Sequence, residues 1–191
     1  MDVKKRGEVE PMISIENVVA SASVDQPIDL SQVTRLFPGV EYHPEQFPGL
    51  VFRLKNPKTA TLIFSSGKMV CTGAKSEGNA IKAVKTVVEK LRAAGIDIRN
   101  EPRIEIQNIV ASASLGGRVK LEEAAMILPR SMYEPEQFPG LIFRMDEPKT
   151  VILLFASGKL VCTGAKKEEE VYRAVKKLHA ILEENGLMSY E

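Results

Sequence analysis

Few residues in this chain are of the kinds that carry covalent chemistry. The histidines are His43 and His179, and the cysteines are Cys71 and Cys162. Both cysteines stand in the same local sequence, VCTGAK, which makes them equivalent positions of a repeat rather than a disulfide or metal pair. They are expected as buried small hydrophobes. Neither histidine recurs in the other copy, no Cys-His or Ser-His-Asp setting is repeated, and His43 is expected exposed on a turn. GKMV and GKLV lack the upstream glycine and the following Ser or Thr of a phosphate loop, and metal-ligand spacing is missing. Neither catalysis nor a cofactor is expected. What does recur is a large apolar ring on a turn. EQFPGL at 45–50 and at 136–141 sets Phe47 and Phe138 beside Pro-Gly, a strong local turn signal. Such a ring is either a lid on its own core or a group that stacks against a ligand.

The elements that hold these residues come in duplicate. Shifting the sequence by 91 residues aligns ISIENVVASAS on IEIQNIVASAS at 8 of 11 positions, YHPEQFPGLVFRL on YEPEQFPGLIFRM at 10 of 13, and PKTATLIFSSGKMVCTGAK on PKTVILLFASGKLVCTGAK at 14 of 19. Two copies are too few for a solenoid, so one compact fold of two similar halves is expected. The shared blocks are rich in Val, Ile, Thr and Phe and broken by Pro-Gly and Ser-Gly, which predicts strands and turns. Between them, IDLSQVTRLF, KLEEAAMIL, EGNAIKAVKTVVEKLRAAG and EEEVYRAVKKLHAILEENG carry apolar residues at helical spacing, predicting two helices per half.

Strand parity assigns faces. Asn17, Val19 and Ser21 share one side, with Val18, Ala20 and Ala22 on the other; Leu62 and Phe64 oppose Ile63, and Lys68, Val70 and Thr72 oppose Met69 and Cys71. Both sides are substantially apolar, yet two helices per half cover only one. The uncovered side is therefore expected to bind something large.

Composition narrows the choice of partner. The 191 residues carry a net charge of +1, with 44% hydrophobic and 27% charged residues, ordinary values for a globular protein. Binding of nucleic acid through a basic patch alone would call for far more positive charge. The polar start MDVKKRGEVEP has no signal-sequence pattern and no apolar run is long enough to span a bilayer, so a soluble intracellular protein without membrane contact is expected.

The doubled EQFPGL, NVVASAS/NIVASAS and SGKxVCTGAK blocks resemble the TATA-box-binding protein family in its short archaeal form, over roughly residues 12–185. The resemblance implies an α+β fold: a pseudo-twofold saddle, with a curved ten-stranded antiparallel sheet whose concave face lies in the DNA minor groove and four helices on the convex face. It divides the chain into an N-terminal tail at 1–11, repeats at 12–100 and 101–186, and a C-terminal tail at 187–191. The closing EENGLMSYE receives no role. In such a fold Val19, Leu62, Val70, Val110, Leu153 and Val161 would supply apolar surface against base edges. Asn17, Asn108, Thr72 and Thr163 would supply the few hydrogen bonds that a groove of acceptor atoms needs, and a guanine amino group would clash. Arg53, Arg144, Lys68 and Lys159, with Ser66 and Ser157, would reach the backbone at the rim. Phe47 with Phe64, and Phe138 with Phe155, flanked by Pro48 and Pro139, would wedge between base steps.

The partners implied are double-stranded A·T-rich promoter DNA and transcription factor B, the counterpart of TFIIB, through Glu134 and Glu136 on the second tip. RNA polymerase would follow indirectly, a homodimer would form when DNA is lacking, and the setting would be the nucleoid in the cytoplasm of an archaeal cell. Lys82, Lys85, Lys90 and Arg92 either meet regulators or form a solvated helix surface. From the residues alone, a sheet-face RNA-binding protein is the alternative, although LVFRLKNPK lacks the glycine pattern of that class. A dimer interface would also explain an apolar face.

Overall fold

The computed structural model describes residues 9–190. Most of the expected tail at 1–11, and the last residue of the one at 187–191, lie outside the described residues. Two compact units share the described residues: 17–108 form the first, and 109–190 together with 9–16 form the second.

In the first unit β1 (Met12–Ser23), which begins in the second unit, is followed by α1 (Leu30–Leu36), β2 (Leu50–Lys55), β3 (Lys58–Ile63), β4 (Lys68–Ala74) and α2 (Glu77–Ala93). The chain then enters β5 (Arg103–Ser114), whose later half belongs to the second unit. The strands lie in the order β2-β3-β4-β1-β5, with β2 to β1 antiparallel throughout. Both helices start on side-chain caps. Asp29 accepts from the amides of Ser31 at 3.0 Å and Gln32 at 3.3 Å, and Ser76 Oγ accepts from Asn79 at 3.0 Å, relieving amides that have no partner within the helix. α2 buries Ala80, Ala83, Val84, Val87, Val88 and Leu91, the stripe its apolar spacing predicts. It covers the side of the strands that carries Val18, Ala20, Met69, Cys71, Ile63 and Leu50, each at most 1% exposed. Full burial of each large aliphatic chain there contributes about 1.5–3 kcal/mol.

The second unit repeats this plan with additions. β6 (Arg118–Val119), α3 (Leu121–Ile127), β7 (Ser131–Met132), β8 (Leu141–Met145), β9 (Thr150–Leu154), β10 (Lys159–Ala165), α4 (Glu168–Glu184) and β11 (Met188–Ser189) follow β5. Its strand order is β1-β5-β10-β9-β8-β7, and α4 packs on β10. Here the helix start is held in reverse: Glu170 Oε1 accepts from the amides of Lys166 at 3.0 Å and Lys167 at 3.1 Å. The α+β class and the four predicted helices are observed. The strand count differs from the expected ten, since among the described residues nine strands make up the sheet. The counterpart of β7 in the first unit is reduced to a lone bridge between Glu41 and Val51. The closing segment, to which the sequence assigned no role, is structured as far as residue 190: β11 pairs with β6, Leu187 is buried, and Tyr190 meets His179.

Candidate nucleic-acid interface

Among the described residues, one side of the strands in each unit carries no helix. In the first, register places Ser21 beside Val70, Val70 beside Leu62, and Leu62 beside Val51. The next tier sets Thr72 beside Ala60 and Ala60 beside Arg53. The aliphatic members of both tiers are half-buried, whereas their sequence neighbours Met69, Cys71 and Ile63 are fully covered. In the second unit Ser112, Val161, Leu153 and Ile142 form the same row, and Thr163, Val151 and Arg144 the tier beside it. Val19 in the first unit and Val110 in the second are likewise half-buried. The surface is apolar and accessible, with hydroxyls and basic groups at its margin.

Asn17 is half-buried and held in a fixed sense. Its Oδ1 accepts the Gly73 amide proton at 2.7 Å, so the oxygen is the atom turned into the strand, and Nδ2 lies 3.2 Å from Thr72 Oγ1. Gly73, at φ 96°, is in the left-handed region, where the register between β1 and β4 shifts as a bulge. One Nδ2 hydrogen goes to Thr72 and the other is left for a further acceptor. Asn17 therefore satisfies backbone at a bulge while keeping one amide hydrogen clear of the strand. Asn108 and Thr163 are half-buried, as Asn17 and Thr72 are.

The phenylalanines are placed as pairs. Phe47, 44% exposed, meets Phe64 edge to face at the margin of the first unit, and Phe138, 38% exposed, meets Phe155 in the same way in the second. Pro48 and Pro139 are exposed beside them. The glycine of each FPG explains the motif. A Cβ on Gly49 would lie 2.6 Å from Phe47 Cε2 and 3.0 Å from Phe64 Cε1, and one on Gly140 would lie 2.7 Å from Phe138 Cε2 and 3.0 Å from Phe155 Cε1. Each ring folds back over its own glycine and leaves one edge in solvent. Backbone bonds close the turns: the amides of Gln46 and Phe47 donate to His43 O, and those of Gln137 and Phe138 to Glu134 O.

Around these surfaces the polar residues sort by exposure. Lys68, Lys159, Arg53 and Arg144 are exposed, as are Ser66 and Ser157, whose hydroxyl oxygens accept the amides of Lys68 at 3.4 Å and Lys159 at 3.3 Å within their hairpin turns. Glu134 and Glu136 are exposed at the second tip, and His43 at the first. Arg53 differs from Arg144 in having an acid: its Nη1 lies 2.7 Å from Glu41 Oε1.

Sequence reasoning named two of the three aliphatic members of each row and missed the third. Val51 and Ile142 are face residues two positions before the arginines, so strand parity from Arg53 and Arg144 would have found them. Glu41 gives no local signal, because its contact with Arg53 depends on the bridge to Val51. The cysteines are buried as expected, and burial pushes the Cys71 thiol up and the Cys162 thiol up to about 11. His179 is buried on α4, with Glu183 Oε1 at 2.9 Å and Tyr190 Oη at 2.8 Å from its Nε2.

Known proteins match nearly the whole chain. The family model for transcription factor TFIID, or TATA-binding protein, matches twice, at residues 12–94 and 103–185. The TATA-box-binding protein of Pyrodictium occultum is 59% identical over 172 residues, covering 90% of this chain and 86% of the relative. That of Sulfolobus acidocaldarius is 57% identical over 167 residues, covering 87% and 85%. The solved structure of the Methanococcus jannaschii protein superposes with a TM-score of 0.80 at 50% identity, covering 90% of this chain and 98% of that one. The chain belongs to the TATA-box-binding protein family.

Proposed function

We propose that this protein starts transcription by seating a TATA box against the helix-free strand faces, each unit taking half of the site through the minor groove. Membership of the family makes it a DNA-binding transcription factor rather than an enzyme. The observation that carries the finer reading is the pairing, in each unit, of a half-buried aliphatic face with an exposed aromatic pair at its margin. A minor groove presents acceptors at A·T pairs and an added amino donor at G·C, so a surface of valine and leucine with a few donors, such as Asn17 and Thr72, selects A·T.

Phe47 with Phe64, and Phe138 with Phe155, enter base steps at the two ends and kink the duplex. A wedge costs a few kcal/mol per step, a figure general to minor-groove wedge proteins, this family among them, and apolar burial along the bent groove offsets it. This reconciles nucleic-acid binding with a net charge of only +1. The exposed Glu134 and Glu136 then serve as acidic contacts for transcription factor B, which brings RNA polymerase. No helix among the described residues is long and apolar enough to cross a membrane.

The deciding experiment measures binding and bend angle by gel shift and fluorescence transfer, on an A·T-rich TATA duplex and a G·C-substituted control. Tight, bent complexes on the TATA duplex alone, with the bend lost in Phe47→Ala/Phe138→Ala, are expected. Equal binding to both duplexes, or to single-stranded RNA, would refute the proposal.

A further inference from the structure

We infer that Glu41 is an internal competitor for DNA phosphate, making the backbone grip of the first unit weaker than that of the second. The inference rests on the minor-groove reading above and adds a residue to it. Glu41 is bridged to Val51 by two backbone bonds, Glu41 N to Val51 O at 3.2 Å and Val51 N to Glu41 O at 2.8 Å. Directly opposed residues point to the same side, so Glu41 shares the side of Val51, the helix-free one. From there it reaches Arg53, on the same side two residues on, at 2.7 Å.

The second unit has the same geometry with different chemistry. Met132 pairs with Ile142, and Arg144 follows two residues on; Met132 is 55% exposed, and Arg144 makes no ion pair among the described residues. One guanidinium is thus already matched by a carboxylate, and the other sits beside a thioether that offers it nothing. The pair of Arg53 and Glu41 is exposed, 59% and 55%, and such pairs are weak, so a phosphate can take Arg53. The displaced Glu41 carboxylate then remains within reach of that phosphate and repels it. Arg144 meets its phosphate with no such opposing charge.

Salt dependence separates the two arginines, because each phosphate neutralised steepens the slope of log K against log salt by about 0.9. On the TATA duplex, Arg144→Ala is expected to shallow that slope by about 0.9, and Arg53→Ala by less than half as much. Glu41→Gln, which keeps shape and removes charge, is expected to tighten binding about two- to fivefold and steepen the slope, and Met132→Glu to do the reverse. All four positions are exposed, so the variants should fold, which circular dichroism checks. Equal slope losses for the two arginines, or no response to Glu41→Gln, with wild-type TATA binding intact, would overturn the assignment of Glu41 alone. Failure of the wild type to prefer the TATA duplex would overturn the functional reading and this inference with it.

Discussion

Phe47 and Phe64 meet edge to face with ring centroids 5.9 Å apart and planes at 67°, and Phe138 and Phe155 repeat this at 5.8 Å and 64°. An edge-to-face pair is a favoured aromatic geometry, worth about 0.5–1.5 kcal/mol beyond its burial. On the proposed reading, the wedge is therefore assembled before DNA arrives. The side-chain entropy of ordering the rings is met in the free protein instead of subtracting from affinity.

Gly49→Ala tests that arrangement without removing an aromatic. The new methyl would lie 2.6 Å from the Phe47 ring, which can swing away, so the fold survives while the pair opens. The bend angle on the TATA duplex should fall, with the melting temperature changed by only a few degrees. An unchanged bend would show that the pair need not be preformed.

Asn17 separates two roles by opposed rankings. Asn17→Asp keeps an acceptor for the Gly73 amide and for Thr72, but loses the donor and, on the proposed reading, sets a negative charge against groove acceptors. Asn17→Ala loses both and leaves the Gly73 amide without its side-chain partner, costing about 1 kcal/mol of stability. Thermal melting should rank wild type, Asp, Ala, whereas TATA affinity should rank wild type, Ala, Asp. The same ranking in both assays would mean that Asn17 acts only on the bulge.

Much of this arrangement was legible in the sequence because it depends on period-two alternation and on duplication. The parity of Val19, Leu62, Val70 and Thr72 needs no tertiary knowledge. Apolar spacing located the helices. What stayed hidden depends on contacts between distant positions. The loss of a tenth strand turns on whether Glu41 forms one bridge or two. The order at Met188–Ser189 depends on β6, a two-residue partner about 70 positions earlier that has no periodic signal of its own.

Burial of the thiols gives a chemical prediction. At pH 8 a thiol raised to about 11 is ionised in only about one molecule in a thousand, and Cys162 is fully covered. Cys71 is also fully covered and shifted the same way. Native protein should therefore react with a thiol-disulfide reagent only as fast as its units open, and both cysteines should react at once in guanidinium. Rapid titration of one thiol in the native state would contradict the buried placement.

Asp25 and Arg103 supply a pH-dependent element of the first unit. Two hydrogen bonds, at 2.8 and 2.6 Å, join the carboxylate to the guanidinium, and the side-chain bond to Arg103 is the main cause holding the Asp25 carboxyl below its ordinary 3.8. A depressed folded pKa binds fewer protons than the unfolded chain, so the stabilisation is complete above the ordinary value and is lost as pH falls through the folded one. The group is exposed, so the effect is small and screened by salt. Melting temperatures of wild type and Asp25→Asn, measured from pH 7 down to pH 3 in low salt, should differ by a constant amount down to about pH 4 and converge below it. A gap that widens in acid would mean that the ion pair does not stabilise the folded unit.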